Sequence, residues 1–249
     1  MDTILSVERT FQYDYIYFDL IFLLIWVCVL LWKKEYGALL FALIISPIIY
    51  FIDAYVWWTT KVGDLFIREY FIDGVQIINN GFNHSLEKFG IDFMMTISYS
   101  LFNFAWVWLM FKYLNDDKAR YKIKYTALWL ASWVLVPLCS MLFNLNETVV
   151  HSIRNMESQY PIWISITVVS YLVLFIFSKF NIRLTIKLFI IGFIAAFIME
   201  FPLYLFDIRQ MGLDILLFDS VFMINQSIPL LYGIFLIFYK IRAFRSFSK

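Results

Sequence analysis

Seven apolar runs dominate the chain, at about 15–32, 37–58, 91–114, 124–145, 160–180, 184–206 and 217–241, each 18 to 25 residues long. As a helix rising 1.5 Å per residue, each run is long enough to cross a hydrocarbon core of ~30 Å. The runs are continuous rather than alternating over ~10 residues, which argues against a transmembrane barrel. The pattern predicts an all-α, polytopic integral membrane protein: one transmembrane domain over 1–249, folded as a seven-transmembrane-helix bundle with its termini on opposite sides. Between the second and third runs lies a longer loop, 59–90, containing VGDLFIREYFIDGVQII. Apolar residues at 62, 65, 66, 71, 72, 75 and 77 predict an amphipathic helix there, on the interface or over the bundle. Composition agrees with the class. Of 249 residues, 62% are hydrophobic and 21% aromatic, with a mean hydropathy of +0.76, above what soluble domains carry.

Charge sets a direction. Fourteen of the twenty basic residues fall in the 33–36, 112–124 and 179–187 loops and the C-terminal tail, with only Glu35, Asp116 and Asp117 beside them, a net +11. The other side holds Arg9, Lys61, Arg68, Lys88, Arg154 and Arg209 against sixteen acids, a net −10. The positive-inside bias predicts an external N-terminus and a cytoplasmic C-terminus in a plasma or cell membrane. The tail KIRAFRSFSK suits a short helix on an anionic leaflet. The opening MDTILSVERTFQYDY lacks the basic start and short apolar run of a cleavable signal peptide. The expected partner is the lipid bilayer. A protein partner is left open, and an overall charge of +1 gives no footing for nucleic acid.

The candidate chemistry is carboxylate chemistry. In FIMEFPLYLFD, residues 197–207, Glu200 sits six residues from Phe206, ~9 Å below the outer end of its helix. Asp53 lies five residues from the outer end of the second run, and Asp19, Asp92 and Asp219 lie in the first outer turns of the first, third and seventh. Helical spacing groups Asp92, Thr96, Tyr99 and Asn103 on one face, Tyr50 with Asp53, and Glu200 with Tyr204. Asp219 stacks with Gln226, flanked by Asn225. A charged side chain in hydrocarbon costs at least ~2.5 kcal/mol, so these faces are expected to turn inward. Arg68, Arg154 and Arg209 stand in outer loops, and mid-membrane offers no base. Unpaired acids would take up a proton, bind a cation or keep water. Asp92 and Asp219 are also placed to cap the outer ends of their helices.

The leading expectation is therefore an outward-facing acidic cavity that binds or transports a cation or cationic polar small molecule. Asp53, Glu200, Asp219, Asp92 and Asp19 would line it, with Asn103, Asn225, Gln226, Tyr50 and Tyr204. A second reading is an intramembrane enzyme on a lipid or isoprenoid, with Glu200 and Asp53 as general acid and base. A third is a membrane assembly or chaperone subunit.

Metal and cofactor signals are thin. His84 and His151 cannot supply a three-histidine zinc site, Cys28 and Cys139 sit in apolar runs as packing residues, and no motif names a cofactor. Paired motifs, SPIIYFIDAY with EFPLYLFDIR and IDFMMTISYSLFNF with FDSVFMINQSIPLL, fit a 3+1+3 repeat arrangement. NQSIPLLY resembles the seventh-helix signature of rhodopsin-like receptors, but KYLNDDKARY lacks its companion motif, and no lysine for retinal precedes Lys240. YIYFDL and FIDAY are similar to the lycopene cyclase type of membrane domain, whose paired glutamates are replaced by GIDF here. Neither resemblance assigns a family.

Overall fold

The computed structural model describes residues 6–77, 86–114 and 119–247, side chains at 86, 87 and 240–247 excepted. It is mostly helical, with six helices long and apolar enough to cross a membrane. These are α1 (Asp14–Trp32), α2 (Tyr36–Thr59), α3 (Leu86–Lys112), α4 (Ala119–Phe143), α5 (Gln159–Phe177) and α6 (Ile182–Leu205). The protein is a multi-pass membrane protein by architecture.

The last apolar stretch differs from the expected single span. It forms α7 (Leu213–Phe222) and α8 (Ile228–Phe247), interrupted over residues 223–227. The reason is local. Asn225 Nδ2 donates to Val221 O at 2.8 Å, Gln226 Nε2 to Met223 O at 2.8 Å and Ser227 Oγ to Ile224 O at 2.8 Å. Three consecutive polar side chains thus compete for helix carbonyls, and Pro229 follows without an N–H. The matched third run is one unbroken helix, so the two halves of the expected repeat differ in structure here. The basic tail continues α8 through Phe247 rather than turning into a separate helix.

α3 is the most buried of the six spans and α5 the least. Trp26 of α1 donates to Leu101 O at 3.0 Å and stacks on Phe102. Trp106 packs on Trp129 with centroids 5.3 Å apart, and Trp108 on Phe41 and Phe235. Facing outward, Leu24, Ile25, Val169, Leu172 and Ile176 are exposed, as a lipid-facing surface requires.

One end of the bundle carries a five-stranded antiparallel sheet. Its strands are β1 (Ser6–Gln12), β4 (Arg68–Ile72), β5 (Val75–Gln76), β6 (Val149–Asn155) and β7 (Arg209–Gln210), in the order β5-β4-β6-β1-β7. A separate hairpin pairs β2 (Lys61–Val62) with β3 (Leu65–Phe66). Every segment assigned to the outer side from charge, the N-terminal stretch included, contributes a strand. The amphipathic helix expected within 59–90 is therefore corrected: residues 61–76 are strand and turn, while 78–85, with His84, lie outside the described residues. Asp73 and Gly74 both take positive φ, 48° and 76°, as a two-residue type I′ hairpin demands. The opposite end has short hairpins. Lys34 takes φ 58° after α1, with Lys34 N on Leu31 O and Glu35 N on Leu30 O, a Schellman closure.

Candidate site beneath the sheet

The strand period explains what the sheet delivers. Val7 and Phe11 of β1 are buried against the bundle, so Arg9 between them faces the bundle too. The register sets Arg9 opposite Ser152 on β6 and Arg209 on β7, and Val7 opposite Arg154, which itself faces Arg68 on β4. Four arginines thus share the bundle side of one small sheet. Glu8 and Glu69 point the other way, as does His151, whose ring bonds Thr10 at 2.7 Å.

The expectation that these carboxylates lack basic partners is wrong for four of the five. Asp53 takes Arg68 Nη2 at 2.9 Å and Arg154 Nη2 at 2.8 Å. Asp92 pairs with Lys88 at 2.5 Å. Arg209 lies between Glu200 and Asp219, ion-paired to both, the latter at 2.7 Å, and all three are at most 3% exposed. Asp19 accepts from Ser98 at 2.5 Å. Among the described residues, four of the five acids are thus ion-paired to bases, while Asp19 and the equally buried Asp14, which accepts from Ser140 and from Leu145 N at 3.0 Å, rest on neutral donors. Cavities of 430 and 260 Å³ at this end are lined by none of the five carboxylates. In place of an open acidic hollow stands a buried network in which four of the five carboxylates are ion-paired. Free acid and base roles for Glu200 and Asp53 lose their footing for the same reason, since each carboxylate is committed to arginine.

The helices assist this pairing. Within α2, residues Phe51–Val56 form a π-helical turn. Such a turn displaces carbonyls from the regular ladder. Asp53 O accepts from Arg68 at 3.2 Å and Ala54 O from Lys88 at 2.7 Å. Lys88, fully buried, also sits 4.1 Å from the Trp58 ring centroid and 4.7 Å from that of Phe89. A cation gains from such faces when desolvated. Burial disfavours the charge on Arg209, but Glu200 and Asp219 outweigh it and hold its pKa above the ordinary arginine value. The same contest on Arg68 is decided by Asp53 and Asp92, again upward.

The remaining candidates divide. Asn103 is buried on α3, its amide nitrogen on Met199 Sδ and its Oδ1 without a partner. One turn away, Tyr99 donates to Met223 Sδ at 3.4 Å, which joins α3 to the interruption between α7 and α8. Asn225, at that interruption, accepts from Tyr171 at 2.6 Å and presses on Gly192 of α6, where a Cβ would lie 2.0 Å from Asn225 Oδ1. Gln226 is half-buried and bonded to its own turn. Tyr50 donates to Phe89 O at 3.3 Å, joining α2 to α3. Tyr204 is exposed and is not part of the site. Asp92 is not an N-cap, since α3 begins six residues earlier, and Asp219 lies well inside α7.

Sequence reasoning missed the strands and hence the arginines. The signal was present in the Asp73–Gly74 pair, the strongest short hairpin marker, and in the alternation of SVERTFQ once Arg9 is counted as inward. It also missed Gln159 at the start of α5, fully buried with both amide atoms unpartnered, and Tyr15, whose hydroxyl is buried without a partner. The chain matches no protein-family model, no curated protein and no solved structure.

Proposed function

We propose that the protein binds a small polar solute between α3, α6 and the interruption joining α7 to α8, and carries it across the membrane. The end bearing the sheet faces away from the cytoplasm, in keeping with the positive-inside bias. One observation carries this reading: the last apolar segment breaks at Asn225, Gln226 and Ser227, about 18 Å of helical rise below its sheet-side start, where Tyr99, one turn from the buried Asn103, bonds Met223. Broken helices at mid-membrane depth supply the polar backbone and side-chain groups that a solute needs there, and are tolerated only where protein or a cavity surrounds them. The charged sheet closes the path on its own side, and its ion pairs are the contacts that opening must exchange. The ion pairing of Asp53, Asp92, Glu200 and Asp219 favours a polar solute over a cation held by unpaired acid.

The test is access. In a background with Cys28 and Cys139 replaced by serine, Gln226→Cys and Ser227→Cys are placed in membranes and exposed to a small charged thiol reagent. Modification of either, accelerated when Arg154→Gln loosens the sheet, is expected. No modification in either background would rule out a path to the break.

A further inference from the structure

Two buried carboxylates of α1 rest on neutral donors, and they are not alike. Asp14 stands in the first turn, where the helix's own N–H groups and dipole favour a negative charge. It also accepts from Leu145 N at 3.0 Å and from the Ser140 hydroxyl. Asp19 lies more than a turn further in and has none of this. It is 1% exposed, and its hydrogen-bond partner among the described residues is Ser98 on α3, at 2.5 Å. A carboxylate buried in that way keeps its charge only with an ion-pair partner and several donors; otherwise it takes a proton.

The neighbouring elements offer Asp19 no counter-charge. On α2, Asp53 holds Arg68 and Arg154, and Tyr50 donates to Phe89 O. On α3, Asp92 holds Lys88, and Tyr99 donates to Met223. The bases of α4 stand in its first turns at the opposite end; Tyr125 there packs on Trp26, and Cys139 is half-buried. On α6, Glu200 holds Arg209. Neither these nor Arg9 of β1 bears on Asp19, whose setting is burial and the Ser98 hydroxyl.

Access comes from the 430 Å³ crevice at the sheet's edge, which Tyr15 lines with Thr10, Gln12 and Ser140. Tyr15 precedes Asp19 by four residues, so the two share one face of α1, about 6 Å apart along its axis. The Tyr15 hydroxyl is buried without a hydrogen-bond partner, and such a group both donates and accepts. We propose that Asp19 is a proton-binding site, filled from water in this crevice past Tyr15. A hydronium ion there gives its proton to the Asp19 carboxylate and leaves as water; release runs the same step backwards. A metal cation in the same place would call for about six oxygens, more than Asp19 and Ser98 supply. As the ion coupled to the solute, the proton rests on the transport reading; as a bound ligand it does not.

The experiment is infrared spectroscopy of the purified full-length protein in lipid vesicles near neutral pH. The wild type should show the carbonyl band of a protonated carboxylic acid that is lost in Asp19→Asn and kept in Asp14→Asn. In heavy water this band should shift down without unfolding, and Tyr15→Phe should slow the shift several-fold. Exchanging choline for sodium in the buffer should leave the band in place. The absence of an acid band that depends on Asp19, or its loss in sodium, overturns the site. A band that never shifts in heavy water, or that shifts equally fast in Tyr15→Phe, overturns the route past Tyr15. Should Asp19→Asn fail to fold, Ser98→Ala decides, because it removes the hydrogen bond to Asp19: a displaced acid band supports the site and an unmoved one overturns it. Reagent access at Gln226→Cys is read separately, so failure of the proton site and failure of the transport path give different results.

Discussion

The two ends of the bundle are closed in different ways. At the sheet end, the N-terminal stretch and three loop segments pair into strands, and the three loops send Arg68, Arg154 and Arg209 down onto carboxylates of α2, α6 and α7. At the other end, tight turns join α1 to α2 and α5 to α6, and Trp108, Phe111 and Phe235 pack together. Among the described residues, the ion pair there is Glu35 with Lys112 at 2.6 Å, joined by Tyr113 at 3.0 Å. The contrast shows how different means close one fold. Apolar packing is non-directional and tolerates small shifts, whereas buried ion pairs hold their geometry until a partner leaves and then fail steeply. Under the transport reading, the end built on charge is the one whose partners must be exchanged on opening. An aromatic plug has no comparable partner to exchange.

The contrast can be broken from either side. Arg209→Gln leaves Glu200 and Asp219 buried together, and should cost about 3–5 kcal/mol, a fall in Tm of roughly 10 °C. At the opposite end, Glu35→Gln should cost only about 1 kcal/mol, because Lys112 is 40% exposed and water replaces much of what is lost. Thermal unfolding of both variants in one detergent checks the ranking. Equal losses would mean that the two ends are held alike.

Much of the architecture was legible in the chain. Continuous apolar runs of the right length give the helices, and the Lys and Arg distribution correctly grouped the loops that meet in one sheet. The inward acids were legible as well, because spacing of three and four residues put Asp92, Tyr99 and Asn103 on one face of α3. Their partners were not. Arg68, Arg154 and Arg209 lie 15, 101 and 9 residues from the acids they serve, and strand register alone brings them together. The strands were obscured because their inward positions hold arginine where a core strand would hold valine, so the usual alternation of apolar and polar is lost. The broken last segment was hidden for a different reason. A run of apolar residues on both sides of Asn225 satisfies a length criterion whether or not the helix is continuous.

The bridge of Arg209 between Glu200 and Asp219 is tested most directly by removing its charges together. In Arg209→Gln the loss should come from stranded carboxylates, so adding Glu200→Gln and Asp219→Asn should restore at least half of the lost Tm. A triple variant less stable than Arg209→Gln alone would contradict the account, since the two acids would then be stabilising the bundle through contacts other than the arginine.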